Sequence, residues 1–177
     1  MKKIKTTFFG TDKFASIILE ELLKSSKIDI ACVITQPDRP VGRKGELQPS
    51  LVKILAEKHK LKILQPNKLE KNDEIKKCLN TEISIVVDYG LIIPQNILDL
   101  PNNGSINIHP SLLSKYRGPS PIQTALLNGD TKTGITIIKM DAKMDHGPII
   151  AQSSFDIDPY DTYTVLNDKM AIKASKM

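Results

Sequence analysis

Short apolar runs alternate with stretches of helical period along the chain. Residues 4–9 read as a strand, with Thr6, Thr7, Phe8 and Phe9 suited to a pleat. Over residues 14–23, Phe14, Ile18 and Leu22 recur on one helical face with Ile17 beside them, and Asp12 stands where a cap belongs. Residues 28–35 form a second apolar run and a second strand. Residues 36–49 hold Pro37, Pro40, Gly42, Gly45 and Pro49 and read as a loop. Ser50 then caps a helix to about His59, with Val52, Leu55 and Ala56 inward. A short strand at 62–64 and a short helix at 73–79 follow. The unbroken apolar run 83–87 has the pattern of a strand covered on both faces. Strands at 105–109, 134–140 and 149–155, a helix at 119–127 and a last helix at 162–176 complete the pattern, with Asp161 or Thr162 at the final cap.

This alternation predicts parallel βαβ units with right-handed crossovers. The expected fold is α/β and Rossmann-like: an open, mostly parallel, twisted sheet with helices on both faces. In such sheets ligands bind beyond the carboxyl ends of the strands, so the informative residues follow Phe9, Thr35, Val87 and His109.

Composition adds boundaries to that picture. The chain has 177 residues, 40% of them hydrophobic and 25% charged, which is the balance of a single folded domain rather than a disordered chain. Cys32 and Cys78 each lie beside apolar residues without a Cys-x-x-Cys, so they read as buried thiols, and neither a disulfide framework nor a zinc site is expected. The basic start Met1-Lys2-Lys3-Ile4-Lys5 leads into an apolar run too short for a signal peptide. No segment is long and apolar enough for a bilayer, so a cytoplasmic location with no membrane partner is the expectation. A net charge of +5 is compatible with a solvated basic surface and with an anionic partner alike.

Three stretches carry candidate chemistry. The first strand-to-helix turn, Phe9-Gly10-Thr11-Asp12-Lys13-Phe14, has one glycine where a dinucleotide turn needs Gly-x-Gly-x-x-Gly, which argues against a nicotinamide enzyme. Phe9, Gly10 and Thr11 remain candidates for contact with a substrate, since Gly10 admits a ligand near the backbone. The 36–49 loop carries Arg39, Arg43 and Lys44 and should overhang the strand ends; it suits phosphate recognition as well as it suits a solvated loop.

The third stretch, Gly104-Ser105-Ile106-Asn107-Ile108-His109-Pro110-Ser111, is the most informative. Asn107 and His109 alternate with Ile106 and Ile108, so they share one strand face. An amide and an imidazole at a strand end can donate to one developing oxyanion. Asp145, in a turn between two predicted strands, can orient His109 or pass a proton. His146 is a weaker candidate, and no metal is implied.

Asn107-Ile108-His109-Pro110-Ser111-Leu112-Leu113, then Lys115-Tyr116-Arg117-Gly118 and Asp145 followed by Gly147, resemble the signature of the folate-dependent formyltransferases. The stretch 35–43, with Gln36-Pro37-Asp38-Arg39-Pro40 and Gly42-Arg43, resembles the loop with which the methionyl-tRNA branch contacts the acceptor end of tRNA. Pro121-Ile122-Gln123 and Gly134-Ile135-Thr136 are similar to that branch too. The resemblance covers essentially the whole chain.

It implies 10-formyltetrahydrofolate as donor, held by Val87, Tyr89, Gly90, Leu91 and Ile92 together with Ser111, Leu112, Leu113 and Ser114. It implies initiator methionyl-tRNA as acceptor and partner, met by Phe9, Gly10, Thr11, Arg39, Arg43, Lys44, Arg117 and Gly118. Asn107, His109 and Asp145 are the implied catalytic set, and a monomer is expected. Residues 1–177 would be the catalytic domain alone, ending inside its last helix, with the family's C-terminal barrel-like domain missing. Two residues depart from the pattern: Ser114 stands in place of a proline, and Asp88 in place of a small residue. The competing readings are a formyltransferase for an amino-sugar nucleotide or another small amine, and a non-catalytic folate- or RNA-binding fragment.

Overall fold

In the computed structural model, which describes residues 2–42, 45–70 and 72–177, seven strands form one sheet in the order β5-β2-β1-β6-β7-β8-β9. The strands are β1 (Ile4–Gly10), β2 (Ile28–Ile34), β5 (Ile63–Leu64), β6 (Ile83–Val87), β7 (Ser105–His109), β8 (Lys132–Lys139) and β9 (Ile149–Asp156). β3 (Arg39–Val41) and β4 (Glu46–Gln48) pair separately as an antiparallel hairpin. The five strands from β5 to β7 run parallel. β8 and β9 then add antiparallel. β7 therefore lies at the seam between a parallel and an antiparallel half.

The helices are α1 (Lys13–Lys24), α2 (Leu51–Lys58), α3 (Asp73–Cys78), α4 (Gln95–Leu98), α5 (Pro121–Leu127) and α6 (Tyr163–Ala174). Side chains of successive strand residues point to opposite faces, and the central strands are covered on both, so β1, β2 and β6 feed two cores. Phe8, Ile85, Val87, Ile108 and Ile135 pack with α1, α2, α5 and α6. Phe9, Cys32, Ile34, Val86 and Tyr89 pack with α3 and α4. This is why residues 83–87 are apolar except for Ser84 and why Phe8 and Phe9 stand side by side in β1. Among the described residues no helix is long and apolar enough to cross a membrane.

Caps and packing fix the helix starts. Ser50 Oγ accepts the Lys53 N–H at 3.0 Å and starts α2, and Asn72 Oδ1 does the same for α3. Thr162 Oγ1 accepts the Val165 N–H and starts α6. Asp12 holds the cap position of α1 without a side-chain bond; Lys13 instead pairs with Asp168 of α6 at 2.7 Å. Gly10 is required where β1 turns into α1, because a Cβ there would lie 2.7 Å from Ala15 Cβ and 3.1 Å from the Val87 carbonyl.

α6 closes the first core with Leu166, Met170 and Ala171, all fully buried. Met170→Ala is expected to cost about 2–5 kcal/mol, the range for deleting a large core side chain. Urea unfolding checks this, and a loss below about 1 kcal/mol would mean that the α1–α6 layer collapses to fill the space.

Two expectations need correction, and one short helix was not foreseen. The 36–49 stretch is a hairpin at its ends rather than a plain loop, because Asp38 is gripped at its base: Oδ1 accepts from Lys53 Nζ at 2.9 Å and Gln65 Nε2 at 2.6 Å. Those two donors hold the Asp38 carboxyl below the usual carboxylate range, Gln65 more than Lys53. The four-residue helix α4 has too few residues to show a period. Cys32 and Cys78 are bonded to each other, with Cα atoms 5.6 Å apart and a separation of 46 positions in sequence. That pairing follows from α3 packing on β2 in the second core, which sequence spacing does not reveal.

Candidate active site

A cavity of about 360 Å³ opens over the carboxyl ends of β6 and β7. It crosses the sheet edge from one face to the other. On the side of the second core its walls are apolar: Val86, Leu91, Ile92, Ile93, Met140 and Met144. On the side of α1 and α6 the walls turn polar, with Asp88, Tyr163 and Asn167 beside Phe14. Asn107, His109 and Asp145 line the stretch between.

Those three residues converge because β7 aims the alternate residues Asn107 and His109 to one face and the loop from β8 to β9 returns above them. Asn107 Nδ2 donates to Asp145 Oδ1 at 3.2 Å. His109 Nδ1 lies 3.5 Å from that same oxygen. The Gly118 N–H donates to Asp145 Oδ2 at 2.9 Å, and Arg117 Nε donates to the Asp145 backbone carbonyl at 3.1 Å. Asp145 is held in the left-handed region, at φ +49°, by these bonds on both its carboxylate and its backbone.

On its other edge, His109 Nε2 meets the Tyr116 carbonyl at 2.9 Å. A carbonyl only accepts, so Nε2 carries a hydrogen in this arrangement and Nδ1 is the atom that gains or loses a proton. A proton on Nδ1 faces the Asp145 carboxylate. His109 is almost fully buried, so the carboxylate supplies the counter-charge that a buried imidazolium needs. The cluster can therefore present the second Asn107 amide N–H to negative charge and hold a proton between His109 and Asp145 beside it.

A model of the formyl transferase family matches residues 2–177. The chain belongs to the formyl transferase family. It is 46% identical over 177 residues to a methionyl-tRNA formyltransferase of Mesoplasma florum, covering all of this chain and 56% of that protein. It is 43% identical over 175 residues to the protein of the same name from Thermotoga sp. (strain RQ2), covering 98% of this chain and 55% of that one. The chain thus spans about half the length of the curated relatives it matches. Among solved structures, a phosphoribosylglycinamide formyltransferase from Bacillus halodurans superposes with a TM-score of 0.75 at 22% identity, covering 98% of this chain and 90% of that one. A sugar 3N-formyl transferase, solved in the presence of dTDP and 5-N-formyl-THF, superposes with a TM-score of 0.67 at 25% identity, covering 99% of this chain and 60% of that one. The Rossmann-like, mostly parallel α/β fold expected from the sequence is therefore shared with solved formyl transferases.

In this formyl transferase the residues singled out from sequence divide into three groups. Tyr89, Gly90, Leu91, Ile92 and Gly118 join the catalytic candidates on the cavity wall. Phe9 and Val87 do not: both are core residues, and Phe9 meets Tyr89 edge-on at 5.3 Å. Burial against that ring pushes the Tyr89 hydroxyl up to about 12. Gly10 serves the α1 turn, and Thr11 Oγ1 donates to the Tyr89 carbonyl at 3.0 Å.

The 111–114 segment braces the site from behind. Thr136 Oγ1 accepts the Leu113 N–H at 3.0 Å and donates to the Ser111 carbonyl at 2.6 Å, and Gln152 Nε2 donates to the Leu113 carbonyl. The peptide between Leu113 and Ser114 is cis. Arg39 is exposed on β3, away from the cavity, and Arg43 and Lys44 lie outside the described residues. His146 pairs with Asp141 at 2.9 Å on the loop surface, and this contact is the main cause holding the Asp141 carboxyl below its usual range.

Sequence reasoning missed the 140–144 wall and the α6 residues Tyr163 and Asn167. The segment Met140-Asp141-Ala142-Lys143-Met144 carried a weak signal, two methionines flanking a predicted turn. Tyr163 and Asn167 carried none, since α6 reaches the site through its packing on α1, α5 and β8.

Proposed function

We propose that this chain moves a formyl group from 10-formyltetrahydrofolate to the α-amine of methionine esterified to initiator tRNA, and that residues 1–177 form the catalytic domain for that step. The observation that carries this reading is the convergence of Asn107 and His109 on one oxygen of Asp145 inside a cavity with an apolar arm. The identity to methionyl-tRNA formyltransferases supports the choice of acceptor.

The apolar arm from Leu91 to Ile93, faced by Met140 and Met144, suits a flat heterocycle that brings a formyl group to the cluster. Asn107 has a second amide hydrogen beyond the one given to Asp145, and it meets the charge that grows on the formyl oxygen as the amine attacks. One such donor is worth about 3 kcal/mol in comparable acyl transfers. His109, protonated on Nδ1 and steadied by Asp145, is the second source of positive charge. As the amine's nitrogen bonds to the formyl carbon, the bond from that carbon to the folate nitrogen breaks. The proton leaving the amine passes by way of the Asp145 carboxylate to that folate nitrogen, while His109 keeps its own, so charge and atoms balance. The hairpin of β3 and β4, with Arg39, is the proposed contact for the acceptor stem.

The test is formyl-methionine release after mixing the chain with 10-formyltetrahydrofolate and methionine-charged initiator tRNA, with an amino-sugar nucleotide as a parallel acceptor. Transfer to tRNA that falls by orders of magnitude in His109→Ala, with the fold retained, is the expected result. Transfer to the sugar nucleotide alone would move the chain to the other branch, and tight folate binding with no transfer would mark a binding fragment.

A further inference from the structure

Three carboxylates line the cavity, at Asp88, Asp141 and Asp145. Two are already committed. Asp141 is paired with His146, and Asp145 takes Asn107 and Gly118 as donors and faces His109. Asp88 has no ion pair or side-chain hydrogen bond among the described residues; it keeps an exposed edge, and partial desolvation and the nearby Asp12 carboxylate are what act on it.

Its position follows from the sheet. Val86 is registered with Asn107 in the parallel β6–β7 pair, so Asp88, two residues further, stands level with His109. Gly10 is registered with Val87 on the other flank, which brings the Gly10-Thr11-Asp12 turn alongside. Asp88 sits at φ +45°, just past the strand. It belongs to the polar arm of the cavity with Tyr163 and Asn167 of α6, on the opposite side of Asn107 and His109 from the apolar arm.

An amine acceptor arrives mostly as an ammonium, since α-amino groups titrate near pH ~8. Only the neutral amine attacks. A cation brought into a walled cavity needs a counter-charge and then a place for its proton. We propose that Asp88 receives the acceptor's ammonium group and takes its proton before attack, an inference that rests on the reading of the acceptor given above. The exchange balances: an ammonium and a carboxylate become an amine and a carboxylic acid.

The surrounding charges are consistent with that role. Asp12, Lys13, Tyr163 and His109 are the titratable groups of the neighbouring elements, and Lys13 is held by Asp168, which leaves Asp88 unneutralised. Burial and Asp12 both raise the Asp88 carboxyl above the usual carboxylate range, in that order, so it is a stronger base toward an ammonium than an ordinary aspartate. Asp88 also raises the Tyr163 hydroxyl, after burial, which marks the two as neighbours across the arm.

The test separates charge recognition from chemistry. Initiator tRNA is charged with methionine or with its 2-hydroxy analogue, and binding of each is measured without formyl donor. The wild-type chain should prefer the amine-bearing ester by about tenfold, the effect of one ion pair in a partly walled site. Asp88→Asn, which tolerates the left-handed backbone, should erase that preference and leave 10-formyltetrahydrofolate affinity unchanged. A preference that survives in Asp88→Asn, or a variant that loses folate affinity instead, overturns the role of Asp88 while leaving the acceptor assignment standing. Failure of both esters to bind the wild-type chain overturns both assignments.

Discussion

Asp145→Asn is expected to lower formyl transfer by about 10²–10³-fold, the loss seen when one electrostatic partner of an acyl-transfer site is removed, with little change in thermal stability. The carboxylate is an acceptor on both oxygens: Asn107 and His109 approach Oδ1, and the Gly118 N–H approaches Oδ2. An asparagine has one oxygen and one NH₂ group. Whichever way its amide turns, a donor then faces a donor, either at Asn107 and His109 or at Gly118. The negative charge opposite His109 Nδ1 is lost as well, so the protonated ring loses its counter-charge. Single-turnover formyl transfer measures the effect, with folate binding as the control for an intact cavity. Transfer within about threefold of wild type would remove Asp145 from the mechanism, because a loss that small lies well below the range for such partners.

Gly147→Ala is the second change with a large expected effect, and it acts on the fold first. A Cβ at position 147 would overlap the Lys139 backbone carbonyl. That contact lies at the base of the loop carrying Asp145, where the Lys139 N–H donates to the Pro148 carbonyl at 2.9 Å. Neither backbone can give way without breaking the start of the β8–β9 pairing. The expected cost is about 3 kcal/mol, the upper end for overpacking, or about 6–12 °C in melting temperature for a domain of this size. Because Asp145 is two residues away, formyl transfer should fall even at temperatures where the variant remains folded. An unchanged melting temperature would show that the loop base shifts freely and that glycine is not required there.

Legibility from sequence followed the distance over which each signal acts. The alternation Ile106-Asn107-Ile108-His109 is local, so it placed two site residues correctly on one face of β7. Capping by Ser50 and Thr162 is equally local and set two helix starts. Its place in a turn between two predicted strands pointed Asp145 toward His109, and the family resemblance pointed to the same residue. Phe9 and Val87 misled because an apolar residue at a strand end reads the same whether it faces a ligand or a second core. Here both faces of the sheet are covered, and Phe8 and Phe9 go to different cores. Tyr163 and Asn167 reach the cavity through the packing of α6 on α1, a contact between segments roughly 150 residues apart that no window of helical period can register. The Cys32–Cys78 pairing is hidden for the same reason. The hairpin of β3 and β4 was masked by its prolines and glycines, which mark turns and give no sign of a ladder between them.

The seam at β7 also has a kinetic meaning. β7, β8 and β9 follow one another as antiparallel neighbours, joined by the segment that carries α5 and by the 140–148 loop, whereas β1 must wait for β6, with Thr6 registered against Ile83. Closing that longer loop costs more chain entropy and slows pairing. Asn107, His109 and Asp145 all belong to the half with the shorter closures, and Phe14 and Asp12 belong to the half with the longer one. During folding, the wall that gathers the proton-handling cluster can therefore form from neighbours in sequence, and the opposite wall is added when the first strand finds its distant partner.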